Sequence, residues 1–230
     1  MQRTPIIQAQ NLYYEIANHD NYIRILQGLN LTIHTGEQVA IIGSSGSGKS
    51  TLLSLLAGLD VPTSGQVLVE MQAFSSLDED GRAYVRARYM SFVFQSFQLL
   101  PSLTALENVM LPLQLTQHAD AQALSLEALD QVGLSQRVQH YPKQLSGGEQ
   151  QRVAIARAFA TKPRILFADE PTGNLDNATG KVIIELLFKM NAEANTTLVL
   201  VTHDMELASR CKRQLQLDNG VLTDLVWMPF

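Results

Sequence analysis

Short apolar, β-branched runs recur along this chain, separated by stretches in which apolar residues return every third or fourth position. Gln38–Ile42 (QVAII), Gly65–Glu70, Met90–Gln95, Arg164–Glu170 and Thr196–Asp204 have the pattern of buried strands. After Gly48, Leu52, Leu55, Leu56 and Leu59 predict a helix with those four leucines on its buried face. Leu126 and Leu129 mark a second helix, which Gly133 ends. An Ala-rich helix is predicted over Gly148–Ala160. Another runs from about Ala178 to Ala192, with Val182, Leu186 and Met190 on its inner side. The first third reads as strands and turns, whereas from about 97 to 160 the texture is helices and loops. Strand–loop–helix–strand alternation predicts a parallel α/β core carrying a helical insertion. No internal repeat or low-complexity linker interrupts it.

Composition narrows the picture in three ways. At 230 residues and 46% hydrophobic, the chain can bury a core as one domain spanning 1–230 with a helical subdomain at about 97–160. Seventeen basic against 22 acidic residues leave a net charge of −5. That lacks the basic footprint of a nucleic-acid binder, so no nucleic-acid partner is expected. A single cysteine, Cys211, excludes an internal disulfide framework and suits a reducing compartment. No apolar run approaches the roughly eighteen residues needed to span a bilayer, and the N-terminus does not read as a signal peptide.

The first chemistry lies directly after QVAII. Gly43, Ser44, Ser45, Gly46, Ser47, Gly48, Lys49 and Ser50, followed by Thr51, fit the pattern G-x-x-x-x-G-K-[ST]. The glycines let several backbone N–H groups converge on a phosphate, and the helix opening near Lys49 adds its positive end. Lys49 can reach the β/γ-phosphates, and Ser50 can ligate Mg²⁺. The competing reading, a Gly/Ser hairpin turn, has to explain a pattern that chance produces in roughly one such chain in a hundred. It must also explain the strand before and the helix after.

Asp169 and Glu170 end another apolar strand, where ligands bind in open parallel sheets. One carboxylate there can hold a metal, and its neighbour can take a proton from an attacking water. His203 ends the next strand and could reach a γ-phosphate. Taken alone, each of these three is as readily a solvated turn or a structural side chain. At Leu145–Phe159, LSGGEQQRVAIARAF places Ser146, Gly147 and Gly148 at a second glycine-rich helix start, again an anion site or a capping turn.

This segment resembles the signature motif of ATP-binding-cassette (ABC) ATPases, and the family's other motifs stand in order around it. The resemblance covers essentially the whole chain. It implies an α/β phosphate-loop nucleotide-hydrolase core with an antiparallel β-subdomain and a helical subdomain. It also implies ATP and Mg²⁺ as cofactors. By position, Gly43–Thr51 resembles the Walker A loop, Asp169 the metal-binding Walker B carboxylate and Glu170 the general base. Gln95 matches the Q-loop glutamine that senses metal and γ-phosphate, Asp176 of NLD the D-loop aspartate and His203 the switch histidine. The family pairs two cassettes head to tail, so Ser146, Gly147 and Gly148 of one copy complete the other's ATP site. The family's adenine-stacking aromatic is missing at the expected position. Ile16 stands there, with Tyr13 and Tyr14 nearby.

Three stretches, Phe92–Leu113, LFADEPTGNLD and VTHDMELASRCKRQLQLDNG, resemble the lipoprotein-release and macrolide-export branch, nearest its YbbA-like group. That implies a peripheral ATPase on the cytoplasmic face of the bacterial inner membrane. Its partner would be a separate permease with a large periplasmic domain, levered to export or extract hydrophobic compounds or lipoproteins. The membrane would be touched only through that permease. Phe97, Leu99, Leu100 and Leu103, around Pro101, form the candidate docking surface. Two alternatives share the same motifs: a cell-division-type regulator of wall hydrolases, and an importer ATPase for small solutes.

Overall fold

The computed structural model describes residues 4–18 and 21–225, so residues 1–3, 19–20 and 226–230 of the expected 1–230 span lie outside the described residues. Two compact units emerge, one from the chain up to Met90 and again from Thr197 onward, the other from Ser91–Thr196.

The first unit opens with β1 (Pro5–Asn18), β2 (Asn21–His34), β3 (Gln38–Ile42) and α1 (Lys49–Leu56). It continues through β4 (Ser64–Val69), β5 (Gln72–Ala73) and α2 (Glu79–Tyr89). The second unit runs through β6 (Met90–Phe94), α3 (Ala105–Leu115), α4 (Ala121–Gln131), α5 (Gly147–Ala160), β7 (Ile165–Asp169) and α6 (Asn177–Ala194). The chain then returns to the first unit as β8 (Thr197–Thr202), α7 (Met205–Ala208), β9 (Arg213–Asp218) and β10 (Val221–Asp224).

In the first unit an antiparallel sheet, ordered β2-β1-β4-β5, buries alternate residues such as Leu29, Leu31 and Ile33 and, on β4, Val67 and Val69. That period of two is the mark of a sheet with one face covered. Beside it β3 runs parallel to both β8 and β9, and β10 pairs antiparallel with β9. All six residues of β8 and four of the five in β3 are buried, as parallel strands covered on both faces require. In the second unit β6 and β7 are neighbours. Phe92 stacks on Phe94 and on Phe167 at 5.5 Å between centroids in each case.

Three inner faces differ from the sequence expectation. Leu59 lies outside α1 and is 49% exposed. Gly58 takes φ +62°, and the Leu59 N–H returns to the Ser54 carbonyl at 2.9 Å while the Gly58 N–H reaches Leu55, a left-handed glycine stop. On α6, Met190 is buried as expected, but Val182 points to solvent, and Ile183 and Leu187 are buried in its place. In a run as apolar as VIIELLF two helical phases fit one period, and packing chooses between them. On α4, Leu126 is exposed while Ala128, Leu129 and Ser125 face inward, the Ser125 hydroxyl donating to the Ala121 carbonyl. Gly133 does end that helix, in the same stop as Gly58. Among the described residues no helix is long and apolar enough to cross a membrane.

Candidate functional site

In the first unit, the glycine-rich loop leaves β3 at Gly43 and enters α1 at Lys49. A Cβ on Gly43 would sit 2.4 Å from the Leu217 carbonyl oxygen, so no larger residue fits there. Gly48 caps α1 at φ +97°, a backbone open to glycine at little cost. Lys49 is buried, its ammonium donating to the Gly43 and Ser44 carbonyls at 2.8 Å each, which draws the charge into the loop's concavity.

The start of α1 differs from those of most other helices. Asp78, Thr104, Ser146, Asp176 and Asp204 each accept a backbone N–H at the start of α2, α3, α5, α6 and α7. At α1 no side chain caps the end and no acid occupies the first turn. The Ser47 hydroxyl beside it is buried without a hydrogen-bond partner. Uncapped N–H groups, a buried ammonium and an unmet hydroxyl at one helix start suit a phosphate.

The parallel register brings His203 to this loop's level. Ile42 and Thr202 are paired across β3 and β8, so Gly43 and His203 are the next residues along adjacent strands. His203 is exposed, and Asp204 turns the chain into α7 by accepting the Glu206 and Leu207 N–H groups.

The second unit carries the other strand-end residues. Asp169 ends β7 and Gln95 directly follows β6, its neighbour. Glu170 is half-buried at φ +46°, a strained conformation for a residue with a side chain, closed by the Gly173 N–H donating to its carbonyl at 3.0 Å. Gln95 donates its amide to Asn174 Oδ1 at 3.1 Å and accepts the Asn174 side-chain amide on its carbonyl at 3.0 Å. Asn174 thus ties the loop after Glu170 to the loop after β6. Nothing in residue type or spacing marks it out, apart from its place immediately before LD.

At α5, Ser146 caps the helix and Glu149 answers it. The Glu149 carboxylate accepts the Ser146 N–H and hydroxyl at 2.9 Å each, and the Arg137 Nε–H at 3.1 Å. The bond from the Ser146 backbone, with Arg137 and the Ser146 hydroxyl, holds the Glu149 carboxyl at about 2. Of the expected pair of anion-binding helix starts, this one already carries an acid, while Gly147 and Gly148 keep their backbones half-buried at its opening. Asp176 caps α6 through the Ala178 and Thr179 N–H groups, and bonds from Thr179 hold its carboxyl below the usual range. Two further residues of α5 were not singled out in the sequence. Arg157 donates to the Gln98 and Phe97 carbonyls at 2.6 and 2.9 Å, and Gln151 donates to the Pro171 carbonyl at 2.6 Å.

For the metal, Ser50 is exposed at the start of α1 and Asp169 is half-buried at the end of β7. Among the described residues no group of three His, Cys, Asp or Glu could hold an ion unaided.

A glycine-rich loop between a parallel strand and an uncapped helix, with acids at a strand's carboxyl end, defines a phosphate-loop nucleotide-binding protein. Residues 26–173 match the ABC transporter family. The chain is 50% identical over 221 residues to the ABC transporter ATP-binding protein YbbA of Escherichia coli K12, covering 95% of this chain and 97% of that one. It is 52% identical over 217 residues to the lipoprotein-releasing system ATP-binding protein LolD of Hydrogenovibrio crunogenus, covering 94% of each. Among solved structures, the cassette MJ0796, a dimer in a post-hydrolysis state bound to ADP and Pi, superposes with a TM-score of 0.88 at 40% identity, covering 97% of this chain and 100% of that one. The chain belongs to the ABC transporter family, as one of its ATP-binding subunits.

Proposed function

We propose that this chain hydrolyses ATP to power a separate membrane permease, working as a pair of cassettes on the cytoplasmic face of a bacterial inner membrane. The work done is export or extraction of hydrophobic compounds or lipoproteins, the permease being levered by opening and closing of the pair. The observation that carries this reading is the 52% identity, across 94% of each chain, to a lipoprotein-releasing ATP-binding protein. We assign the helical subdomain to about 97–160 within one cassette domain.

Each residue's task follows from its chemistry. Backbone N–H groups of Gly43–Thr51 and the Lys49 ammonium bind the β/γ-phosphates. Ser50 and Asp169, with Gln95, would hold Mg²⁺, which neutralises phosphate charge when bound. Glu170 orients the attacking water and takes its proton, while His203 and Gln95 report the γ-phosphate. Ser146, Gly147 and Gly148 serve the second copy's ATP, and Asp176 links the two sites. The adenine is met by one of Ile16, Tyr13 and Tyr14, of which Ile16 is 48% exposed. The Tyr14 hydroxyl is bonded to Asp60, and Tyr13 lies against Gly28.

The test is to purify tagged Glu170→Gln protein with ATP from detergent-solubilised native membranes and identify what accompanies it. A permease with a bound lipid, lipoprotein or amphipathic compound is the expected result. A permease with a wall hydrolase and no compound would replace this reading with the regulatory one. Protein recovered alone would overturn the permease assignment.

A further inference from the structure

Gln151 lies on α5, fully buried, and the structure gives its side chain one bond, from Nε2 to the Pro171 carbonyl at 2.6 Å. Its Oε1 is also buried and has no hydrogen-bond partner. A buried amide with half its capacity unmet is a poor stabiliser, since the lost hydration of the unpaired acceptor offsets the bond that forms. An apolar side chain of the same length would fill the space as well. Rules of this kind are broken where position matters more than stability.

What the bond positions is the Pro171–Thr172 peptide, one residue beyond Glu170. Glu170 sits at φ +46° and precedes a proline, a combination that persists only when its surroundings enforce it. Several bonds hold the loop it opens, the Leu175 N–H to the Thr172 carbonyl among them. The Gly173 N–H reaches the Glu170 carbonyl, Asn174 exchanges bonds with Gln95, and Gln151 grips the Pro171 carbonyl from α5. Of these, only the Gln151 bond comes from a helix. Gln151 is also four residues after Gly147, on the same face of α5 as the glycine-rich start. One rigid turn therefore separates the residues that serve the second copy's nucleotide from the tether beside this copy's carboxylate.

We propose that Gln151 is a positioning residue for ATP hydrolysis. It fixes the Pro171 peptide so that Glu170 is aimed at the attacking water, and it passes displacement of the signature end of α5 to that carboxylate. This rests on Glu170 being the general base. The bond acts on the hydrolysis step and leaves nucleotide binding untouched.

The experiment uses the purified full chain with Gln151→Met, which keeps length and apolar volume and removes the donor. A misplaced catalytic group costs up to about 100-fold, so kcat should fall about 10- to 100-fold. ATP affinity, read by competition against a fluorescent ATP analogue, should stay within about twofold, as expected when only the hydrolysis step is affected. The guanidinium unfolding midpoint should fall by no more than the loss of one hydrogen bond, because removing the unmet Oε1 offsets part of the cost of leaving the Pro171 carbonyl unpaired. Gln151→Leu, which has no donor and brings no charge into the buried site, should repeat the kcat loss, and it serves as the test if the methionine variant does not fold. Wild-type kcat in a folded variant would overturn the proposal. So would a kcat loss matched by equal loss of affinity and stability, which marks a structural role. Glu170→Gln run alongside separates the two readings. Turnover in that variant removes Glu170 as the base, whereas a dead Glu170→Gln beside a fully active Gln151→Met removes only the role of Gln151.

Discussion

Glu149 offers the most quantitative perturbation. Its carboxylate accepts two bonds from Ser146 and one from Arg137 within the first turn of α5, where the helix end is positive. Those bonds bring the carboxyl from the ordinary 4.5 to about 2. At about 1.4 kcal/mol per pH unit, that drop sets a ceiling of about 3 kcal/mol for the charged form. The side chain is 20% exposed and Arg137 is 47% exposed, so water screens much of it. We expect about 1–1.5 kcal/mol after that discount. Glu149→Gln keeps an acceptor for the cap and loses the charge, so it should cost about that amount at pH 7. Glu149→Ala loses both and should cost about 2 kcal/mol. Because the folded-state value is the lower one, the stabilisation is fully present above about 4.5 and disappears as pH falls toward about 2. Urea unfolding of parent and Glu149→Gln at low salt should therefore show a constant gap from pH 7 to about 5.5, narrowing below 4.5. A variant as stable as the parent at pH 7, or a gap that widens in acid, would refute the reasoning.

Three further outcomes can be checked. Gly58→Ala places a Cβ 2.3 Å from the Phe74 ring at φ +62°, so thermal unfolding should show a loss of about 2–4 kcal/mol. Arg157→Met removes the donors that hold Phe97 and Gln98, at φ +60° and +48°. Limited proteolysis should then cut near Gln98 faster than in the parent, at a stability cost of about 2–4 kcal/mol, and unchanged cutting would show that the loop holds itself. Lys49→Ala should weaken ATP binding at least about tenfold, the worth of one charge-assisted bond, and unchanged affinity in a nucleotide titration would remove Lys49 from the site.

How much of this was legible in advance depended on how local the cause was. The stretch Gly43–Ser50 carries its chemistry in residue type and spacing, because a phosphate cradle needs glycine freedom, a lysine and a hydroxyl in one turn of chain. Strand cores such as QVAII and TLVLVT, and the glycine that ends α4, are equally local, set by β-branching and by the left-handed conformation only glycine takes freely. The faces of α1, α4 and α6 were read partly wrongly at Leu59, Leu126 and Val182, because an apolar run satisfies more than one helical phase and only the neighbouring elements choose.

The site shows the same division. Asp169, Glu170 and His203 could be named from the sequence because each ends an apolar strand, and Gln95 from its match to the family's motif, but their arrangement is a matter of register. Pairing Ile42 with Thr202 brings His203 level with the phosphate loop, a fact no single segment contains. Asn174, Gln151 and Arg157 act through partners 79, 20 and about 60 positions away. An amide that meets a distant carbonyl leaves no periodic or compositional trace, since its meaning lies in the approach of two backbones. The sequence by itself determined which groups are proposed to do the chemistry. Which groups aim them was decided only when tertiary packing brought those backbones within hydrogen-bonding distance.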